Sequence, residues 1–345
     1  MSETPSKAEV ADSEHSARPT SDQEADPGQR KHRTRRVVLI SFGTLLAVAI
    51  AATIGIYAYV NHVASSIPRV HVGHLATGGG QGSGETFLIT GSKWQPNGTP
   101  VQGVSPIASK LIMLLHLNAN GRTGGVVTIP ADAMVRVPGY GTRPLWYAGK
   151  VGGPSLLVLT VSQLTGVPIN HYAAVDLDHV TSLVDAIGGV NVTLSASSID
   201  SGHLFTAGVN QLTGITASYY AFDQALSDNG EMLRQENLLR AILDKIGDDH
   251  LLIRPFTAIR VLNAITGTMT VDSNLTNSEI ESLARKLGGL GGNAATFVTA
   301  PTLTVNGELV LNTAVADQLW KAIRQNSIAK FARAFPATVT PEAVP

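Results

Sequence analysis

The sequence contains no cysteine in its 345 residues. That absence excludes disulfide bonds, thiol nucleophiles and zinc sites built on thiolates. Aromatic residues are scarce, at 5%, and the formal net charge is only −1. A chain so close to neutrality has no overall electric field that would recruit nucleic acid or acidic partners. These absences narrow the possible chemistry and leave the fold open.

One long run without charged residues begins at Val37 and ends at Val60. At about 1.5 Å per helical residue, the run can cross a hydrocarbon layer of roughly 30 Å. The basic stretch RKHRTRR directly precedes it, and such residues stay on the cytoplasmic side of a membrane. We therefore expect a retained single-pass anchor at 37–60, with a cytoplasmic N-terminus and an extracytoplasmic main domain. A cleaved signal peptide would be shorter and closer to the start.

The segments around this run have compositions typical of unfolded chain. Residues 1–36 have few large apolar side chains and predict a disordered cytoplasmic tail. Residues 61–84 end in ATGGGQGSG and predict a flexible linker, and residues 328–345 predict a flexible C-terminal tail. The linker resembles a phosphate-binding loop at GGQGSGET, but Glu85 replaces the lysine and a strand pattern follows where a helix is required.

Between residues 85 and 327, buried-type strands alternate with helices. LIMLLHL and ATFVTAP are apolar on both faces, as in strands covered on two sides. This alternation predicts one α/β domain, a three-layer α/β/α sandwich with helices on both faces of a sheet. The predicted helices cover 154–166, 178–189, 229–247, 254–265, 277–287 and 313–326.

Motifs for several common chemistries are missing from the sequence. There is no HExxH metal motif, no GxSxG elbow and no GxGxxG placed for a dinucleotide. His116 and His171 lie in apolar strands and are expected to be core histidines. Asp176 and Asp178 lie at the carboxyl end of a strand, where α/β sheets often bind ligands, but Asp178 is also a natural helix N-cap.

Several stretches together resemble the LytR-CpsA-Psr (LCP) family. PGYG, GGP, QLTGVPINHYAAVDLDHVTSLVDAIGGVNVTL and LTG follow in that family's order and spacing, and the resemblance covers roughly residues 86–326. It implies a membrane-anchored cell-envelope protein that transfers glycopolymers from an undecaprenyl-pyrophosphate carrier onto peptidoglycan or a similar acceptor, with magnesium. It also implies two aspartates as metal ligands, basic residues on the pyrophosphate and an apolar cleft for the prenyl chain.

The sequence departs from this pattern where the family carries charged site residues. Lys93 and Lys110 occupy positions where metal-binding aspartates are expected, and Ala131 occupies the place of an arginine. The other departures are Pro144 and Trp146 for a Lys-x-Asn pair, Phe222 and Gln224 for an Arg-x-Arg pair, and Asn237 for the second arginine of a helix.

Four residues are left as candidates for ligand binding. They are Lys93, Lys110, Asp132 and Arg234. Each also has a purely structural explanation: the lysines as solvated side chains, Asp132 as a cap of its loop, and Arg234 as the partner of Asp228 or Glu231 on its own helix. No catalytic residue and no metal ligand is expected, because the family's magnesium ligands are replaced.

Three functions stay open. The first is a non-catalytic envelope protein, a pseudoenzyme that binds a polyprenyl-(pyro)phosphate glycan or an envelope partner. The second is a structural interaction module without a ligand. The third is a glycopolymer phosphotransferase with a rebuilt, metal-independent site. The expected partners are the membrane, a polyprenyl-linked glycopolymer and peptidoglycan, and no helix-turn-helix or basic face indicates nucleic acid.

Overall fold

The structure is a computed structural model that describes residues 55, 58–77, 84–92, 111–176, 180–221, 226–248, 255–287 and 294–345. The chain divides into two units, residues 1–55 and 56–345, and the description below concerns the second. The predicted tail at 1–36 and most of the predicted anchor at 37–60 lie outside the described residues. Within the described part, no helix combines the length and apolar character needed to span a bilayer.

The described strands and helices are mixed along the chain, but they come in runs of one type and do not alternate strictly. The strands are β1 (Arg69–Val70), β2 (Glu85–Ser92), β3 (Ile112–Leu117), β4 (Gly124–Thr128), β5 (Met134–Val137), β6 (Gly141–Pro144), β7 (His171–Asp176), β8 (Val190–Leu194), β9 (Ser198–Asp200), β10 (His203–Phe205), β11 (Gly208–Leu212), β12 (Met269–Asp272), β13 (Ala295–Thr299), β14 (Thr302–Val305), β15 (Glu308–Leu311) and β16 (Ala343–Val344). The helices are α1 (residues 58–65), α2 (Leu145–Thr165), α3 (Val180–Ala186), α4 (Gly214–Ala221), α5 (Asp228–Asp248), α6 (Pro255–Thr268), α7 (Asn277–Leu287), α8 (Thr313–Arg324) and α9 (Ile328–Ala334).

A mixed sheet in the order β1-β12-β7-β2-β3-β4-β13 forms the centre of this unit. β2 is parallel to β7 and β4 is parallel to β13, while β3 runs antiparallel between β2 and β4. The carboxyl ends of β2, β4, β7 and β13 therefore meet at one edge of the sheet. Smaller sheets, β11-β8-β16 and β14-β15-β5-β6, and the β9-β10 hairpin complete the pairing.

Helices cover both faces of the central sheet. Leu88 and Leu114 belong to an apolar cluster with α2, α8 and α9, whereas their neighbours Phe87 and Leu115 belong to a second cluster with Leu243 of α5. Successive residues of a strand point to opposite faces, so a strand that is apolar at every position supplies two cores at once. The mixed α/β architecture with helices on two faces agrees with the sequence pattern.

The helix predicted at 154–166 is the second half of a longer element. α2 extends over Leu145–Thr165 and is broken at Gly153, where φ is 62° and ψ is −159°. Its first half was missed because the sequence there has glycines and no capping residue. Leu145 and Ala148 are fully buried, so tertiary packing stabilises this half. The predicted C-terminal glycine is confirmed, since Gly166 is left-handed and donates its amide to Ser162.

The two segments expected to be flexible beside the domain are packed against it where they are described. Residues 61–77 include part of α1 and β1, with Ala64 and Val72 buried. In residues 328–345, Ile328 and Phe331 are buried on one face of α9, and β16 joins a sheet. The prediction missed the helical spacing of these apolar residues, which lie three to four positions apart.

Candidate functional site

The loop after β4 begins at the edge where the parallel strands end. Ala131, where the family pattern expects an arginine, is 3% exposed and belongs to the apolar core next to α2. Its carbonyl oxygen accepts the amide of Trp146, and the Ala133 carbonyl accepts the amide of Leu145, both at 3.0 Å. The main chain of the loop is therefore fixed to the start of α2, and an arginine at 131 would require the core to repack.

Asp132 is half-buried in this loop. Its carboxylate forms no hydrogen bond or ion pair with the residues that the structure describes. The expected capping role is not what the geometry shows, because the amide of Ala133 bonds the carbonyl oxygen of Pro130 at 3.0 Å. A backbone turn satisfies the loop, and the Asp132 carboxylate is not needed for that turn.

A buried carboxyl group that the sequence analysis missed lies beside the ends of β4 and β13. Glu236 of α5 is 1% exposed, and its Oε1 accepts a hydrogen bond from the hydroxyl of Thr299 at 3.1 Å. The hydroxyl of Thr340 donates to Oε2, while that of Thr128 faces the carboxyl without closing a well-formed bond. Burial raises the pKa of Glu236, and the hydroxyls and the charge of Arg240 offset only part of that effect. The helical pattern of α5 in the sequence does not indicate that Glu236 is a buried carboxyl group.

Arg234 of α5 is fully buried. Its Nε donates to the main-chain oxygen of Pro345 at 2.7 Å, and its Nη2 donates to the hydroxyl of Ser198 at 2.7 Å. The guanidinium also lies over the ring of Tyr220, 5.1 Å from its centroid, and 6.0 Å from that of Phe205. These contacts hold Arg234 inside the protein, with donors directed at protein acceptors.

Further donors of α5 bind the same segment of chain, residues 339–345, which we call the strap. Arg240 donates through both Nη atoms, at 2.8 and 3.1 Å, to two consecutive carbonyl oxygens of the strap. Asn237, where the family pattern expects a second arginine, donates through Nδ2 to the carbonyl oxygen of Glu342 at 2.8 Å. The polar face of α5 and the strap thus form one hydrogen-bonded cluster.

Of the four sequence candidates, Arg234 belongs to this cluster and Asp132 forms no bond with it. Lys93 and Lys110 lie outside the described residues. Over the part of the chain that is described, no group of three or more His, Asp or Glu side chains has the arrangement of a metal site. The cluster therefore offers guanidinium and amide donors, suited to oxygen acceptors such as carbonyls or phosphates.

A second charged cluster lies at the opposite edge of the sheet. His171 contacts Asp272 through Nδ1 at 3.2 Å and Glu85 through Nε2 at 3.4 Å, and Lys286 reaches Glu85 at 2.8 Å. Burial of His171 opposes its charge, but the bonds to the two carboxylates outweigh burial and raise its pKa to about 9. The bond to His171 outweighs burial at Glu85 and lowers that pKa to about 2.

This cluster, formed by Glu85, His171, Asp272 and Lys286, borders a cavity of about 560 Å³. The Asp272 carboxylate also accepts the backbone amides of Tyr172, at 3.0 Å, and Asn274, at 2.9 Å. Charges of both signs are paired within the cluster, which connects β2, β7, β12 and α7. His171 is therefore a core histidine, as the sequence suggested, whose hydrogen bonds hold these elements together.

The central mixed sheet, helices on both faces and polar residues gathered where the parallel strands end define an α/β domain with a polar sheet edge. The chain belongs to the LytR_cpsA_psr family, whose family model matches residues 80–328.

Individual relatives agree with this assignment. The chain is 31% identical over 211 residues to a probable cell wall biosynthesis protein, LcpB, of Corynebacterium glutamicum, with 60% of this chain and 50% of that protein covered. It is 29% identical over 210 residues to the polyisoprenyl-teichoic acid–peptidoglycan teichoic acid transferase TagU of Bacillus cereus, covering 55% of this chain and 65% of that protein. The matches thus span between half and two thirds of these relatives.

Solved structures show the same fold. A LytR-Csp2A-Psr enzyme from Actinomyces oris has a TM-score of 0.60 and 20% identity, covering 75% of this chain and 96% of that one. TagV of Bacillus subtilis has a TM-score of 0.57 and 19% identity, covering 72% and 99%. At such low identity, these similarities establish the fold.

Proposed function

We propose that this protein is a single-pass, membrane-anchored cell-envelope protein that binds a polyprenyl-(pyro)phosphate-linked glycopolymer without transferring it. The observation that carries the proposal is which acceptors the arginines of α5 bond and how deeply Arg234 is buried. Arg234 is fully buried, and both Arg234 and Arg240 donate to main-chain carbonyl oxygens of the strap. A transferase needs such charges directed at the phosphate that moves, because catalysis is mostly neutralisation of that phosphate.

Magnesium, which the family implies, does not fit the residues at its expected positions. Lys93 and Lys110 replace the aspartates, and an ammonium group repels a divalent cation. An ammonium can still attract a diphosphate as a point charge, but it does not coordinate phosphate oxygens as a metal does. This chemistry favours retention of an anionic ligand over its transfer. The glycopolymer class is inferred from the relatives that act in cell wall biosynthesis.

The proposal is tested by titrating the full chain, held in detergent or a nanodisc, with a polyprenyl pyrophosphate, with and without Mg²⁺. We expect binding that does not depend on Mg²⁺ and no phosphate release from a lipid-linked glycan. Replacing Lys93 and Lys110 together with alanine should weaken binding about tenfold, since each removes a charge next to the ligand. Lys321→Ala, on the exposed side of α8, is the matched control and should change nothing.

Two results would contradict the proposal. Magnesium-dependent release of phosphate would identify a working transferase. A complete lack of binding would favour a structural interaction module.

One observation favours a phosphotransferase with a rebuilt site as the second candidate. Glu236 is a buried carboxyl group with a raised pKa at the edge where the strands end, and such a group can act as a general acid. If this candidate is correct, Glu236→Gln should abolish phosphate release while leaving ligand affinity unchanged. If the unaltered protein releases no phosphate at all, the phosphotransferase candidate is excluded.

A further inference from the structure

The strap is held like an added strand. β16 pairs in parallel with β8, with Ala343 opposite Thr193. The amide and the hydroxyl of Ser195 both donate to the carbonyl oxygen of Val344, at 2.8 and 3.1 Å. Val344 is fully buried, whereas the residues on either side of it are exposed. This is how an extended peptide adds to the edge of a sheet, with main-chain bonds and one side-chain pocket.

The side of the strap facing α5 is also recognised through its main chain. Arg234, Asn237 and Arg240 occupy positions three apart, so they lie along one face of the helix. Their bonds to the strap, between 2.7 and 3.1 Å, all end on main-chain oxygens, and those of Asn237 and Arg240 end on amide carbonyls. A groove between α5 and β8 therefore binds peptide backbone with little dependence on the strap's side chains.

The donors that hold the strap are the donors that a phosphate would use. Guanidinium groups form shorter and stronger bonds with anionic oxygens than with neutral carbonyls. The strap contributes a single fully buried apolar side chain, Val344, and its attachment to α5 consists of hydrogen bonds from Arg234, Asn237 and Arg240, donors that an anion also accepts. The strap also lies beyond residues 80–328, the part of the chain that the family model matches.

We propose that the strap, residues 339–345, is an intramolecular competitor of the (pyro)phosphate ligand. Its carbonyl oxygens occupy Arg234, Asn237 and Arg240, and the ligand binds this face of α5 only after the strap leaves the groove. The identity of the ligand rests on the proposed function, whereas the seating of the strap in its groove does not. Ligand binding is then regulated by the release of one short strand, β16, from its groove and by its return.

A reversible cross-link tests the competition directly. Thr193 and Ala343 face each other across β8 and β16, and the chain has no cysteine of its own, so Thr193→Cys with Ala343→Cys can form only one intramolecular disulfide. We expect inorganic pyrophosphate and polyprenyl pyrophosphate to bind the reduced full chain at least tenfold more tightly than the oxidised one, measured by calorimetry. The matched control is Leu303→Cys with Val310→Cys across β14 and β15, where oxidation should not change affinity.

Release of the strap should have the opposite effect. Val344→Asp places a charge at a buried position, while Val305→Asp places the same charge at a position that is 48% exposed. We expect Val344→Asp alone to accelerate hydrogen exchange at the Ser195 amide and to raise affinity for pyrophosphate at least tenfold.

The possible results separate the two proposals. Equal affinity in the oxidised and reduced cross-linked protein would overturn the competitor role and leave ligand binding intact. Binding in none of the variants would overturn both proposals. The cross-linked protein preserves the native packing, so it decides the question even if Val344→Asp fails to fold.

Discussion

Single buried residues connect distant parts of this chain, and His171 is the clearest case. It lies between carboxylates contributed by β2 and β12, and its ring stacks on Phe87 with centroids 5.0 Å apart. Because each charged group of the cluster has an opposite charge beside it, the cluster stabilises the fold only while all of them are ionised. The stability of the protein should therefore depend on pH in a predictable way.

We expect the contribution of this cluster to the free energy of unfolding to be greatest between about pH 4.5 and pH 6.5. The folded pKa of His171 is raised to about 9 from 6.5, so its contribution is complete below 6.5 and is lost as the pH rises through about 9. The folded pKa of Glu85 is lowered to about 2 from 4.5, so its contribution is complete above 4.5 and is lost as the pH falls through about 2. Each loss should be about 2 kcal/mol, allowing for solvent screening.

Urea denaturation over a pH series measures both losses. His171→Gln should remove the alkaline loss, while His203→Gln, on the exposed β9-β10 hairpin, should retain it. An alkaline loss that persists unchanged in His171→Gln would contradict the role assigned to this residue.

A second prediction at the scale of single residues concerns how Glu236 contributes to stability. Because burial raises its folded pKa, its contribution to stability is greatest below its usual value of 4.5 and is lost as the pH rises through the folded value. Glu236→Gln should therefore be at least as stable as the native protein at neutral pH. Glu236→Ala should cost about 2–4 kcal/mol, because it leaves a cavity and removes the acceptor of two threonine hydroxyls.

Thermal denaturation of these variants provides the measurement, and Glu308→Ala is the exposed control, expected within about 0.5 kcal/mol of the native protein. An alanine variant at 236 as stable as the control would refute the account of this buried carboxyl.

Among the elements, α2 shows how one glycine can shape a long helix. Gly153 has φ of 62° and ψ of −159°, a combination that is essentially restricted to glycine. A side chain there would meet no atom within 4 Å, so any cost of substitution comes from the backbone alone. The break lets α2 change direction between the loop contacts at Leu145 and the sheet contacts of its second half.

Two glycine substitutions should therefore have opposite signs. Gly153→Ala should destabilise the protein by about 1–3 kcal/mol because of the strained backbone. Gly267→Ala should stabilise it by up to about 1 kcal/mol, since this residue lies in α6, also with no atom within 4 Å, and alanine is the better helix former. Equilibrium denaturation with urea measures both changes in stability. If Gly267→Ala destabilises the protein and Gly153→Ala does not, the explanation is wrong.

Most helix positions could be predicted because local patterns specify them. The pattern at 277–287 agrees with α7, and that at 229–247 agrees with α5 to within one residue at each end. The first half of α2, all of α4 and all of α9 were missed. Each depends on burial against distant parts of the chain, which a local pattern does not reveal.

For the whole molecule, the family assignment leads us to expect glycopolymer transfer, whereas the arrangement of charged residues leads us to expect binding without transfer. The family relatives act in cell wall biosynthesis and teichoic acid transfer, and the fold is theirs. Yet Ala131 lies in the core, and the donors of α5 are occupied by the strap. The proposed binding under the control of the strap would reconcile the inherited fold with the departures from the family pattern.

The candidate site was only partly predictable. The sequence located Asp132 at the loop after β4 and Arg234 on a helix, because both positions follow from local patterns and family spacing. It gave no sign that the Arg234 guanidinium would bond Ser198 and a residue more than a hundred positions away, Pro345. Contacts between residues so far apart in the sequence depend on how the whole chain folds.

By itself, the sequence determined the mixture of strands and helices and the family, and it led us to expect the replacement of charged site residues. Each of these depends on residue type and local spacing, which can be read directly from the order of residues. Only the tertiary structure decided that residues 339–345 add to β8, that Glu236 is buried among threonine hydroxyls and that His171 bonds carboxylates of two neighbouring strands. Burial, pKa and hydrogen-bond partners depend on which distant residues meet, and packing of the complete chain settles that.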